Sequence, residues 1–150
     1  MNIKQIKPTH ENGQSLVEFA ISLMFMLILL AGVVNFGIGL FYYIAMRDAA
    51  QEGALYGSMN PTDAGGIQTR VADAAGPGLI RDLYDTGQLI TAVTYVGAPC
   101  EGNGIVVTLS YNYELKKVLL GSLIKSFIGT DYIPIRARVT DTILTPPCAP

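Results

Sequence analysis

Residues 19–46 read FAISLMFMLILLAGVVNFGIGLFYYIAM, and none of these 28 residues is Asp, Glu, Lys, Arg or His. As a helix the stretch is roughly 42 Å long at about 1.5 Å per residue, against a bilayer hydrocarbon core of about 30 Å. It is long enough to span, with length left over. A buried helix of a soluble domain is shorter and carries a polar stripe, whereas this one is apolar all round. A cleaved secretory signal has an apolar run of about half this length and a small-residue cut site after it, and here an acid, Glu18, stands at the entrance. The span is therefore expected to be retained. Lys4 and Lys7 precede it, and Arg47 is the only base in the first twenty residues after it. This charge bias puts the N-terminus inside and the chain beyond Arg47 outside.

The rest of the composition narrows the function. The 150 residues hold 10 Lys and Arg against 12 Asp and Glu, a formal net charge of −2, which offers no excess of positive charge for nucleic acid phosphates. His10 is the only histidine, and Cys100 and Cys148 are the only cysteines. That is too little for a zinc site or a histidine-based nucleophile, so no metal, no cofactor and no enzymatic activity are expected. Asp82 and Asp85 are three residues apart but read as solvated charges. Both cysteines fall beyond the span, where an even pair is most simply a disulfide, and closing that loop contributes about 4 kcal/mol in the chain-entropy model. The bond would tie the tail Thr145, Pro146, Pro147, Cys148 to the loop Gly97, Ala98, Pro99, Cys100.

Helical character is expected to run from about Ser15 to Tyr56, stopping near Gly57 ahead of Asn60 and Pro61. In its outer part Met46, Ala50, Gly53, Ala54 and Gly57 form a small-residue stripe that admits another backbone, either a partner's or that of the protein's own domain. Ile67, Val71 and Ala75 have helical spacing, with Gly76, Pro77 and Gly78 as the stop and Leu79, Ile80, Leu83 and Tyr84 as a second turn. The period then changes to two. Val107, Leu109, Tyr111, Tyr113 and Leu115 alternate with Thr108, Ser110, Asn112 and Glu114, which describes a half-buried strand. Residues 89–96 and 132–143 read as two more strands, with Pro134 suited to a strand start or an edge. Residues 116–128 are too short to cross a bilayer and read as an amphipathic turn or short helix on the sheet. The expected class is α+β, a long membrane-spanning helix packed at its outer half on a small antiparallel sheet.

The entrance of the span reads Gly13, Gln14, Ser15, Leu16, Val17, Glu18, Phe19. A carboxylate at the edge of a membrane helix is expensive unless something uses it. One use is local: Ser15 to Glu18 fits the S-x-x-E capping box. The other is a peptidase cut between Gly13 and Gln14, which leaves a new α-amine four residues from Glu18 on one helix face. The carboxylate then neutralises that amine, or the amine of a neighbouring subunit at a particular stagger between helices. Asn35 is the one strongly polar side chain within the span, available to another helix or to its own backbone.

A short lysine-bearing leader, a glycine, a glutamate at the fifth mature position, an aromatic residue and a long apolar helix make up the pattern of type IV prepilins. GQSLVEFA, followed by the span and RDAAQEGA, resembles the TadE-like pseudopilins of the tight-adherence (Flp/Tad) pilus system over about residues 10–57. Major Flp pilins are much shorter, so the resemblance implies a minor subunit. It also implies that residues 1–13 are the leader, with Gly13 recognised by a prepilin peptidase of the TadV type and Gln14 the mature N-terminus. Residues 14–57 would be the helix and residues 58–150 an exported α+β domain. Glu18 would be the acid used in assembly, and Phe19 stands where Flp pilins commonly have tyrosine.

The function implied is a non-enzymatic pseudopilin of the bacterial inner membrane, single-pass with its C-terminal domain outside, acting in pilus assembly and adhesion. Its partners would be other pilins and pseudopilins, met through the N-terminal helix, together with the prepilin peptidase, the Tad assembly machinery and the membrane. The competing reading is a single-span anchored envelope binding module unrelated to pili. That module needs the span only as a tether, so exchanging residues 1–45 for an unrelated anchor would leave its activity intact.

Overall fold

The structure, a computed structural model, describes residues 13–74, 78–118 and 121–148. Helix α1 spans Gln14–Met59, α2 Ala64–Asp73 and α3 Leu79–Asp85. Strands β1 (Leu89–Val96) and β2 (Gly104–Glu114) follow, then a 3₁₀ turn Leu115–Lys117, helix α4 (Gly121–Ile128) and strand β3 (Tyr132–Thr142). The chain is α+β, as expected, with a long apolar helix and one three-stranded antiparallel sheet in the order β1-β2-β3. The leader assigned to residues 1–13 lies outside the described residues except for Gly13. Ala75 lies outside them as well, as do Gly76 and Pro77 of the stop assigned to Gly76, Pro77 and Gly78.

α1 does two different things along its length. Buried residues begin at Met46 and continue through Ala49, Ala50, Gly53, Ala54, Gly57 and Ser58. The helix also runs two residues past the expected stop at Gly57, to Met59, because this last turn is held from outside. The Ser58 carbonyl accepts from Leu144 N at 2.8 Å, and the Met59 carbonyl accepts from Thr145 Oγ1 at 2.8 Å.

The small-residue stripe is consumed within the chain. Ile67 and Val71 of α2, both fully buried, press on Gly53, and Ile105 of β2 presses on Gly57 with Ile67 beside it. Only hydrogen at the Cα of these glycines lets the helices and sheet approach so closely. A free surface for a partner is therefore absent from this stripe. α2 is set against it by Asp63, its N-cap, whose Oδ1 accepts from Gly66 N at 2.9 Å and whose Oδ2 accepts from the Tyr56 hydroxyl at 2.8 Å. Those two donors, Gly66 first, hold the exposed Asp63 carboxyl below the usual carboxylate range.

The alternation in β2 is realised: Val107, Leu109, Tyr111 and Tyr113 are buried, while Asn112 is exposed. β2 ends at Glu114, and Leu115, expected to continue it, starts the 3₁₀ turn with its side chain still buried. β3 closes one residue earlier than expected, at Thr142. Pro134 sits near the start of this edge strand, opposite Asn112, where its missing N–H breaks no central ladder. Within segment 116–128, Gly121–Ile128 forms a short amphipathic helix, but α4 packs chiefly on the 3₁₀ turn beside it and not flat on the sheet. Gly121 is its only buried residue, and Leu123, Phe127 and Ile128 stand uncovered.

Tyr42 of α1 stacks on Tyr111 with ring centroids 5.3 Å apart and tilts against Tyr113 at the same distance. The Tyr111 hydroxyl is buried with no hydrogen-bond partner among the described residues. Burial pushes the phenols of Tyr111 and Tyr113 up from the ordinary tyrosine range. Below about pH 10 both folded and unfolded chains keep these protons, and the shift has no effect on stability. Above it the unfolded chain releases protons that the folded chain retains, so stability falls as pH rises. Melting the wild type and Tyr111→Phe at about pH 8 and about pH 10.5 checks this, the reference tyrosine lying near 10. Tyr111→Phe is expected to melt no lower than wild type at the lower pH, since an orphaned hydroxyl is removed, and to lose less at the higher. A clear loss at the lower pH would show that the hydroxyl is bonded after all.

Candidate functional site

α1 begins at Gln14, with Gly13 as its N-cap at φ −92° and ψ −31°. Val17 N donates to the Gly13 carbonyl at 3.3 Å, closing the first turn. Ser15 thus lies inside the helix, and the N-cap has no side-chain hydrogen bond, so the capping box read at Ser15 and Glu18 is not formed. The reason is register: the helix starts two residues too early for Ser15 to act as cap. Gly13, Gln14, Val17, Glu18 and Ile21 line one shallow face, with the Glu18 side chain exposed and in no ion pair among the described residues. Gln14 and Glu18 are four residues apart and share that face. Phe19 follows, 66% exposed.

Beyond this end the helix is uncovered. Its most apolar 18-residue window has a mean hydropathy of 2.5 and is 0% buried. A helix packed inside a soluble core would be mostly covered. α1 is therefore an exposed apolar rod long enough to cross a membrane, continuous with an outer end from Met46 onward that packs into the domain. Asn35, within the rod, donates from Nδ2 to the Ala31 carbonyl at 2.8 Å. Its amide protons thus turn to its own backbone, which shields the side chain in an apolar setting and leaves Oδ1 without a named donor.

Residues 13–55 match the family described as TadE-like protein. Over these residues α1 is similar to TadE-like proteins. Comparison with curated proteins and with solved structures returned no match. The match runs from the N-cap glycine through the exposed rod to Gly53, and stops short of Gly57 and the last turn of α1. Residues 56–150, which supply α2, α3, α4 and the sheet, lie beyond the TadE-like segment.

At the far end of the TadE-like helix, Cys100 and Cys148 are disulfide-bonded, Cα to Cα 5.0 Å. Around the bond the tail is sewn to the β1–β2 loop: Glu101 N donates to the Pro146 carbonyl at 2.8 Å and Gly102 N to the Ile143 carbonyl at 3.0 Å. The loop turns through Gly97 and Gly102 at φ +93° and +85°, left-handed conformations that favour glycine. Asp82 and Asp85 form no carboxylate pair. Asp85 accepts from Arg81 Nε at 3.1 Å, and Arg81 also reaches Asp73, all on an exposed surface.

Sequence reasoning missed one feature near the rod. Gly32, Asn35, Phe36, Gly39, Leu40 and Tyr43 form one wall of an open apolar groove of about 570 Å³. Tyr113, Val118, Ile124 and residues 133–136 form the other. The helical spacing of the first wall was visible in the sequence, but the second wall is assembled from three separate elements.

Proposed function

We propose that the protein is a non-enzymatic minor pilin, a pseudopilin of a Tad pilus, held in the bacterial inner membrane by α1 with its sheet domain outside. A prepilin peptidase cuts between Gly13 and Gln14, and the α-amine of Gln14 and the Glu18 carboxylate then serve helix-to-helix registration with other pilins during assembly and adhesion. The observation that carries this reading is a rod whose most apolar 18-residue window is left uncovered by its own domain, entered through Gly13, Gln14 and Glu18 within the segment similar to TadE-like proteins. A tether alone needs no acid at that position. Asn35, whose Oδ1 faces a low-dielectric setting, is a further contact for a neighbouring helix, worth about 1 kcal/mol.

N-terminal sequencing of the protein from its native membrane is expected to begin at Gln14. A chain still carrying Met1 would reduce α1 to an anchor. Glu18→Gln is expected to leave cleavage and membrane insertion normal while lowering crosslinking to neighbouring pilins. Undiminished crosslinking would remove Glu18 from assembly.

A further inference from the structure

Contacts along α1 fix which end of the domain faces the rod. Ile105, at the start of β2, meets Gly57, and Leu144, just after β3, bonds to Ser58 near the outer end of α1. Tyr113, near the end of β2, and Ile133, near the start of β3, instead line the groove opposite residues 32–43. β2 therefore runs toward the rod and β3 runs back. The 3₁₀ turn and α4, which connect them, occupy the end of the domain nearest the apolar stretch.

α4 has two apolar rows. Ile124 packs against the core, while Leu123 and Phe127, four residues apart, are 57% and 91% exposed, with Ile128 beside them at 56%. Ser122, Lys125 and Ser126 make up the other side. Lys116 and Lys117, in the 3₁₀ turn ahead of the helix, are exposed; Lys116 pairs with Glu114 at 3.8 Å and Lys125 with Asp131 at 2.6 Å on the same exposed surface, and Tyr43 and Tyr132 are partly exposed on neighbouring elements. Apolar residues flanked by lysines and tyrosines suit the boundary between acyl chains and phosphates.

Depth agrees with this placement. Counted from Glu18, a hydrocarbon core of about 30 Å is crossed in about 20 residues, which ends near Ile38. The groove wall on α1, residues 32–43, straddles that level, and Ile124 of α4 stands across the groove from it. We propose that α4 is an interfacial helix: Leu123, Phe127 and Ile128 enter the outer surface of the bilayer that α1 crosses, and Lys117 meets lipid phosphates, with the exposed Lys116 and Lys125 able to exchange their carboxylate partners for phosphate. The proposal rests on the reading of α1 as a membrane span.

The sequence contains no tryptophan, so one introduced indole reports its own surroundings. Three full-length variants, Phe25→Trp in the rod, Phe127→Trp in α4 and Val96→Trp at the disulfide end, are reconstituted in vesicles of phosphatidylcholine and phosphatidylglycerol with brominated acyl chains. Phe25→Trp and Phe127→Trp are expected to be quenched, and Phe127→Trp to emit further to the blue than Val96→Trp. Quenching of Phe25→Trp with unquenched, water-like emission from Phe127→Trp would overturn the placement of α4 and leave the span standing. Bright emission from both would remove the span and the proposal together. A Phe127→Trp signal untouched by bromolipid, yet shifting to the blue as protein density rises, would assign the face to a second copy and overturn the lipid assignment.

Discussion

The double variant Cys100→Ser, Cys148→Ser is expected to lose about 4 kcal/mol of domain stability, the loop-closure value for a bridge of this span. The two cysteines are 48 residues apart, and the loop they close contains β2, α4 and β3. For a folding unit of roughly 100 residues, that loss lowers the melting temperature by on the order of 20 °C. The effect is expected to be large because, past the buried Ile143, residues 144–148 are exposed and seat no side chain in the core. Its anchors are the backbone bonds to residues 101 and 102 and those to the last turn of α1. Thermal unfolding of the detergent-solubilised protein, oxidised and after reduction, checks the figure. A shift of only a few degrees would show that those hydrogen bonds hold the strap without the bridge.

Gly53→Val is expected to destabilise the domain by about 3 kcal/mol, the upper end of overpacking costs in a filled core. A Cβ placed there would lie 2.5 Å from Val71 Cγ2, a branched and fully buried side chain with no room to withdraw. Gly53→Ala meets the same obstacle but gains about 1 kcal/mol of helix propensity, so its net loss is smaller. Gly37 provides the control within the same helix, since a Cβ there meets nothing within 4 Å. Gly37→Ala is expected to match or exceed wild type. Limited proteolysis and melting of the three variants test the order. Equal behaviour of Gly53→Val and Gly37→Ala would mean that α2 does not bear on α1.

Much of this was legible in the residues themselves. Local periodicity and the absence of charge over residues 19–46 are properties of the chain alone, so the rod, the three strands and the disulfide could be read directly. Ser15 and Glu18 left two readings open because a capping motif specifies a possible bond and not the register at which the helix begins. Residues 116–128 read as an amphipathic turn or a short helix on the sheet; the helix forms over Gly121–Ile128 but packs on the 3₁₀ turn, because the surface it covers depends on where β2 ends.

The sequence alone determined a long helix that cannot be satisfied by water, and an alternating pattern that must bury one sheet face. Tertiary structure alone decided how that helix is divided. The small-residue stripe could accept any closely approaching backbone, and only the arrival of Ile67, Val71 and Ile105 from distant positions fills it from within. That leaves the TadE-like rod as the uncovered apolar surface of α1. Periodicity records which side of an element avoids water, whereas the identity of the surface that covers it depends on contacts between residues far apart in the chain.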